Sequence, residues 1–276
     1  MVITAQDVNK LRKMTGAGMM DCKKALTEAN GDFDKAVELL RKKGQKISAS
    51  RADKKASEGS IFIQTADNDS RSVLIALNCE TDFVAKNEEF QSLGQMIVEV
   101  AAENNPSGIE ELLTLKAGNL TVAQKIEELM GKIGEKLEVS SYEVLEGEKV
   151  VSYIHANNKL GVMVALKGGN GADVIEAGKD VAMQIAAMSP VAVDKDDVSQ
   201  EVIAKEIEIG KEQARTEGKP DELLEKIAMG KLNKFYKENT LLNQQFVKDS
   251  SQTIAKYLDG VQKGLTVTAF KRITIG

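Results

Sequence analysis

The chain has no tryptophan and a single histidine, His155. Proton relays and nucleophile–base pairs most often use an imidazole beside a reactive side chain, so this sequence has little material for them. A Cys–His pair would have to join His155 to Cys22 or Cys79, the only cysteines. Cys22 falls in a helical pattern and Cys79 at the end of a strand pattern; both read as small, semi-buried hydrophobes. Two cysteines without metal-ligand spacing fit a reducing compartment. No apolar run approaches the ~20 residues that span a bilayer. The start, Met1-Val2-Ile3-Thr4-Ala5-Gln6-Asp7, lacks the basic residues and apolar stretch of a signal peptide. The expectation is a cytoplasmic protein without a membrane partner. A net charge of −5 argues against a general affinity for nucleic-acid phosphates, so no direct nucleic-acid partner is expected. Gly168-Gly169-Asn170-Gly171 joins a strand pattern to a helix pattern, where phosphates can be cradled. No Lys-Ser/Thr follows, however, and the spacing is not the dinucleotide fingerprint. The residues read as a plain loop, and no cofactor, metal or catalytic residue is expected.

What is present is a long, well-solvated chain with cores to build. Its 276 residues exceed one average domain; 42% are hydrophobic and 29% charged. The first 44 residues read as three short helices. Thr4 with Asp7 makes a capping-box start, and Val8, Leu11 and Met14 follow at helical spacing. Thr15-Gly16-Ala17-Gly18 breaks that helix. Met20, Ala25, Leu26 and Ala29 mark a second helix, stopped by Asn30-Gly31. Phe33, Ala36, Val37, Leu39 and Leu40 mark a third, which Gly44 is expected to end. Residues 45–58 lose the period and read as a basic connecting segment, partly helical at most, with Lys46, Arg51, Lys54 and Lys55. Residues 1–54 are therefore read as a three-helix module with its linker.

The centre carries an internal repeat. Strand patterns at Ser60–Thr65 and Arg71–Asn78, joined by Ala66-Asp67-Asn68-Asp69-Ser70, precede a helix with Phe90, Leu93, Ile97, Val100 and Ala101 on one face. The order returns at Val150–His155 and Leu160–Lys167, followed by a helix with Val174, Ala177, Val181, Ile185 and Ala186. Val73-Leu74-Ile75-Ala76-Leu77 is echoed by Val162-Met163-Val164-Ala165-Leu166, and each helix ends in Ala-Ala shortly before Pro106 or Pro190. Thr121 with Gln124 caps an intervening helix. Residues 199–240 are dense in Lys and Glu, with sparse apolar positions at Val202, Ile203, Ile207, Leu223, Leu224, Ile227, Leu232 and Phe235. They read as a helical coiled hairpin turning at Gly218-Lys219-Pro220. A short helix over Ser251–Leu258 and a strand over Leu265–Ile275 close the chain. The fold class is α+β, with antiparallel sheets covered by helices. The core's first half takes 55–140, its second half 141–198 and 241–276, with 199–240 inserted.

Two places could meet a partner. Glu80-Thr81-Asp82-Phe83-Val84-Ala85 sits where a strand stops and a helix starts. Asp82 could cap that helix while Phe83 staples back onto the core, as large apolar residues usually do. Alternatively the turn is a protruding wedge, a carboxylate and a ring aimed outward. Met19 and Met20 flank a glycine-rich turn; adjacent helix-start residues cannot share one core face, so one exposed thioether at a binding surface is as reasonable as one buried and one idle.

Leu11-Arg12, the run Thr15-Gly16-Ala17-Gly18-Met19-Met20-Asp21-Cys22-Lys23-Lys24-Ala25-Leu26 and the run Asn78-Cys79-Glu80-Thr81-Asp82-Phe83-Val84-Ala85-Lys86 resemble signatures of bacterial elongation factor Ts. Tyr153-Ile154-His155, Gly161-Val162, Gly230-Lys231, Lys234-Phe235, Leu241-Leu242 and Phe246-Val247-Lys248 extend the resemblance in order along nearly the whole chain. It implies a translation factor, a guanine-nucleotide exchange factor for GDP-bound elongation factor Tu, not an enzyme. It also implies that the first module is ubiquitin-associated-like and docks through Leu11, Arg12, Met19 and Met20. Thr81, Asp82, Phe83 and Val84 match the segment that intrudes near the partner's magnesium site, and His155 matches a contact residue of the second half. The hairpin corresponds to a module that some members use for self-association. Three departures stand out. Gln184 replaces a common histidine, so no role is implied for it. Ala156-Asn157-Asn158 replaces a more usual glycine-rich turn. The sequence stops at Gly276, so the helical tail that some relatives add is expected to be absent or replaced.

Overall fold

A computed structural model describes residues 3–66 and 68–276, the side chain of Ser48 excepted. Asp67, in the first expected hairpin turn, lies outside the described residues. Three helices, α1 (Ala5–Thr15), α2 (Met19–Glu28) and α3 (Phe33–Ser50), open the chain. The capping box at α1 is present: Asp7 N–H donates to Thr4 Oγ1 at 3.2 Å and Thr4 N–H to Asp7 Oδ2 at 3.0 Å. Val8, Leu11, Cys22, Ala25, Leu26, Ala29 and Ala36 form the module's small core.

Gly44 does not end α3; the helix runs on to Ser50. The glycine marks a crossing. Helix α7 (Val122–Ile133) passes so close that a Cβ on Gly44 would stand 2.9 Å from the carbonyl oxygen of Glu127, and one on Gly131 would stand 2.8 Å from the Cα of Gly44. The expected connecting segment is thus helix over 45–50. Lacking side chains, both glycines let two backbones meet, a role that periodicity does not reveal.

The core then begins with β1 (Glu58–Thr65), β2 (Arg71–Cys79), the one-turn helix α4 (Asp82–Ala85) and α5 (Glu88–Asn104). Helix α6 (Ile109–Thr114), the two-residue strands β3 (Lys116–Ala117) and β4 (Leu120–Thr121), α7 and β5 (Glu138–Glu146) complete the first half. The second half has β6 (Lys149–Ile154), β7 (Leu160–Lys167), α8 (Ala172–Met188), β8 (Gln245–Phe246), β9 (Asp249–Thr253), α11 (Ile254–Val261) and β10 (Thr266–Thr274). Helices α9 (Gln200–Thr216) and α10 (Asp221–Asn239) are inserted between α8 and β8.

The two halves repeat one plan. Each has a three-stranded antiparallel sheet, in the orders β1-β2-β5 and β6-β7-β10, with the hairpin's second strand in the middle. Val73, Ile75 and Leu77 of β2 face a helical layer that includes Phe90, Ile97 and Ile126, while Leu74 and Ala76 face the other sheet. On β7, Val162, Val164 and Leu166 face Val174, Val181 and Ile185, while Met163 and Ala165 join Leu74 and Ala76 between the sheets. Both faces of each central strand are covered, hence the unbroken apolar runs. Gly94 in α5 and Gly178 in α8 each stand seventh in their helix. A Cβ there would come within 2.1 Å of the Phe62 ring on β1 or 2.5 Å of Val151 on β6. Both helices end on a left-handed residue, Asn105 or Ser189, directly before a proline.

Strand β5 was not legible as a strand, because its alternation is blurred by half-buried positions. The last helix begins at Ile254, since residues 249–253 form β9. The inserted hairpin differs from the expected apolar seam. Gly210, Ala214, Leu224, Ala228 and Leu232 are buried between its helices, while Leu223 is exposed. Small residues set that seam, with a Gly210 Cβ only 3.1 Å from the Cα of Ala228. No helix among the described residues is long and apolar enough to cross a membrane.

Candidate functional site

Strand β2 delivers the chain to Cys79, and the next residues form a braced turn. Thr81, not Asp82, caps α4: the Val84 N–H donates to Thr81 Oγ1 at 3.4 Å. The Thr81 hydroxyl donates in turn to Glu135 Oε1 at 2.7 Å, and its N–H to Glu135 Oε2 at 3.0 Å. Its carbonyl accepts from the Cys79 thiol at 3.1 Å and from the Ala85 N–H at 3.2 Å. Every polar group of Thr81 is therefore engaged. Burial, with the nearby Glu135 carboxylate, pushes the Cys79 thiol up to about 12, which leaves it a poor nucleophile. Just before the cap, Glu80 accepts from the Lys136 N–H at 2.7 Å and from one Arg51 guanidinium nitrogen at 2.9 and 3.1 Å.

On this base Phe83 is 81% exposed. The staple alternative fails: Phe62 and Phe90 are the buried phenylalanines of this core, and Ala85 with the half-buried Val84 packs against it while Phe83 stays outside. Phe83 is a large ring held in water by a fixed turn, and that costs hydration free energy unless something covers it. Asp82 beside it pairs with Lys86 at 2.8 Å. The hydrogen bond from Lys86 holds the Asp82 carboxyl below its usual range.

A cleft of about 770 Å³ separates this turn from the β6–β7 hairpin, with Asp82 and Lys86 on one side and Ala156, Asn157, Asn158 and Lys159 on the other. The hairpin is docked on the edge of β1: the Ile61 N–H donates to the Asn158 carbonyl at 2.7 Å, and Lys159 pairs with Glu58 at 2.6 Å. His155 lies exposed at the base of this hairpin turn, with Nδ1 2.9 Å from the Tyr153 hydroxyl. Asp82 and residues 156–159, which directly follow His155, thus line one cleft.

The first module packs on the core beside its glycine-rich turn. Lys132 of α7, paired with Glu89 at the start of α5, lies directly under Gly16. Met19 and Met20 are 53% and 64% exposed, so both thioethers face water rather than one. Met14, expected on the inner face of α1, is 57% exposed and joins them; a third methionine beside the turn was the available signal. Arg12 is exposed as well. Leu11 is wholly buried in the module's core, so it has no surface to offer a partner and supports Arg12 and the turn from behind. Gln184, given no role, is buried between α8 and the returning chain. Its amide donates to Gln244 Oε1 and the Gln245 carbonyl, both at 3.1 Å, and accepts from the Val247 N–H at 2.9 Å. Among the described residues no cluster of three or more His, Cys, Asp or Glu is placed to hold a metal ion.

A family model described as elongation factor Ts matches residues 80–276. The chain is 57% identical to an elongation factor Ts of Amoebophilus asiaticus over 276 residues, covering all of both chains. It is 59% identical to one of Cytophaga hutchinsonii over 274 residues, 99% of each. It is 50% identical to one of Porphyromonas gingivalis over 276 residues, covering this chain completely and 99% of that one.

Proposed function

The chain belongs to the elongation factor Ts family, and on that premise we propose that it binds GDP-bound elongation factor Tu in the cytoplasm and drives GDP release by intruding near the magnesium site. It acts by binding, not by covalent catalysis. The observation that carries this reading is Phe83, exposed on a base whose polar groups are all bonded. A ring presented this way needs no reordering before it inserts, so little conformational entropy is lost on binding.

The energetics follow from linkage. A nanomolar nucleotide complex corresponds to about −12 kcal/mol. An exchange factor accelerates release only if it binds better to the state with broken nucleotide contacts, and nucleotide then weakens the factor reciprocally. In this reading Arg12, Met19 and Met20 dock the ubiquitin-associated-like module on the partner's G domain, with Leu11 supporting them. His155 provides a second contact. Their favourable energy drives Phe83 between partner helices and shifts them away from magnesium. Asp82 competes for the groups that organise the ion. Its bond to Lys86 is exposed, and exposed pairs are weak, so the carboxylate is easily released to a new partner.

The parts divide accordingly: residues 1–54 dock, the first core half, which β5 extends past the expected bound at 140 to Glu146, carries the wedge, and the second half, to 198 and again over 241–276, supplies the second contact. The hairpin at 199–240 acts as a coiled-coil self-association element. No nucleic acid is contacted directly. The test is release of labelled GDP from purified elongation factor Tu with and without this chain. Acceleration that saturates with the chain's concentration supports the reading; an unchanged release rate ends it.

A further inference from the structure

The base of the Phe83 turn is held from two sides, and one of them belongs to the docking module. Arg51 directly follows α3, in the stretch that the sequence marks only as a basic connection. Its guanidinium nitrogen reaches both oxygens of Glu80, at 2.9 and 3.1 Å. Glu80 is well covered, with 17% of its side chain exposed, and also accepts from the Lys136 N–H at 2.7 Å. Glu135, next in sequence to Lys136, holds Thr81 by both its N–H and its hydroxyl. The end of α3 and the end of α7 therefore meet at two consecutive residues, Glu80 and Thr81, two positions before the exposed ring. The Gly44–Gly131 crossing keeps α3 and α7 in contact one to two turns upstream.

We propose that Arg51 is a positioning residue for nucleotide exchange: its bond to Glu80 fixes the Phe83 turn relative to the docking module. The proposal rests on the wedge reading above. A module docked through Arg12, Met19 and Met20 can direct Phe83 only if the link between them is stiff. A loose link would let the ring retreat while the module stays bound. The charge-assisted bond from Arg51 to a partly buried carboxylate supplies that stiffness across a chain break in regular structure, residues 51–57, where no helix or strand connects module to core. Arg51 touches neither nucleotide nor reacting atoms; it acts through Glu80 and the turn.

The test is a double-mutant cycle on the full chain. Arg51→Ala, Phe83→Ala and the pair are compared for unfolding, for affinity to nucleotide-free elongation factor Tu, and for the maximal rate of GDP release. Arg51→Ala is expected to slow maximal release by about five- to tenfold at little-changed affinity, and to have less than about a twofold further effect once Phe83 is absent. Arg51→Lys, which keeps the charge, is expected to recover part of the rate and serves in its place should the alanine variant fold poorly. Full release by Arg51→Ala, an equal loss in both backgrounds, or a loss confined to affinity each overturns the proposal. Undiminished release by Phe83→Ala overturns the wedge reading itself, and the positioning role with it. An impaired Phe83→Ala beside an undiminished or additive Arg51→Ala overturns the positioning role alone.

Discussion

The two halves of the core leave their central strands differently. From β7 the chain reaches α8 through residues 168–171, which lie down on the last part of the fold. Gly168 adopts φ +87° with its Cα so close to Gly264 that a Cβ would stand 2.4 Å from that carbonyl oxygen. Its N–H donates to Glu148, and the Asn170 N–H donates to Gln262. From β2 the chain reaches α5 through residues 80–87, which include a helical turn and present Phe83 to solvent. Strand order, the glycine at the seventh helical position and the left-handed helix end are shared by the halves. The shared scaffold therefore does not specify the exposed ring. The longer connection does, held by Arg51 and Glu135 with Phe83 outward, where Glu148 and Gln262 hold residues 168–171 down.

This contrast predicts opposite behaviour on substitution. The largest stability loss is expected at the closed connection. Gly168→Ala puts a side chain at positive φ and against backbone, and should cost about 2–4 kcal/mol in denaturant unfolding. GDP release per folded molecule should be unchanged. A smaller loss is expected at the brace. Thr81→Ala removes the cap of α4 and the hydroxyl bond to Glu135, and should cost about 1–2 kcal/mol. It should also slow exchange, because the turn beneath Phe83 loosens. A Thr81→Ala protein with wild-type exchange would show that the brace is scaffold only.

Much of this was legible in the sequence, and the gaps have physical causes. The repeat was visible because strands covered on both faces must be apolar throughout, as at 73–77 and 162–166. The caps at Thr4 and Thr121 follow from local chemistry and appear where expected. Gly44 misled because glycine both ends helices and permits close crossings, and only the position of α7 distinguishes the two. Leu11 and Met14 share a helical period but not an environment: one is sealed in the module and the other faces water. Phe83 could not be placed by pattern at all. Whether a ring at a strand-to-helix turn points in or out depends on what else occupies the core, and here Phe62 and Phe90 do.

Phe83→Ala tests the central claim most directly, through unfolding of the isolated chain and GDP release from elongation factor Tu. The smallest stability change of the series is expected here, within about 0.5 kcal/mol, as for an exposed side chain. Accelerated release should fall roughly 30-fold or more, the loss of an interface anchor worth at least about 2 kcal/mol. A stability loss of about 3–5 kcal/mol, as for a buried ring, would contradict the account, and so would a stable variant that releases GDP as fast as the unaltered chain.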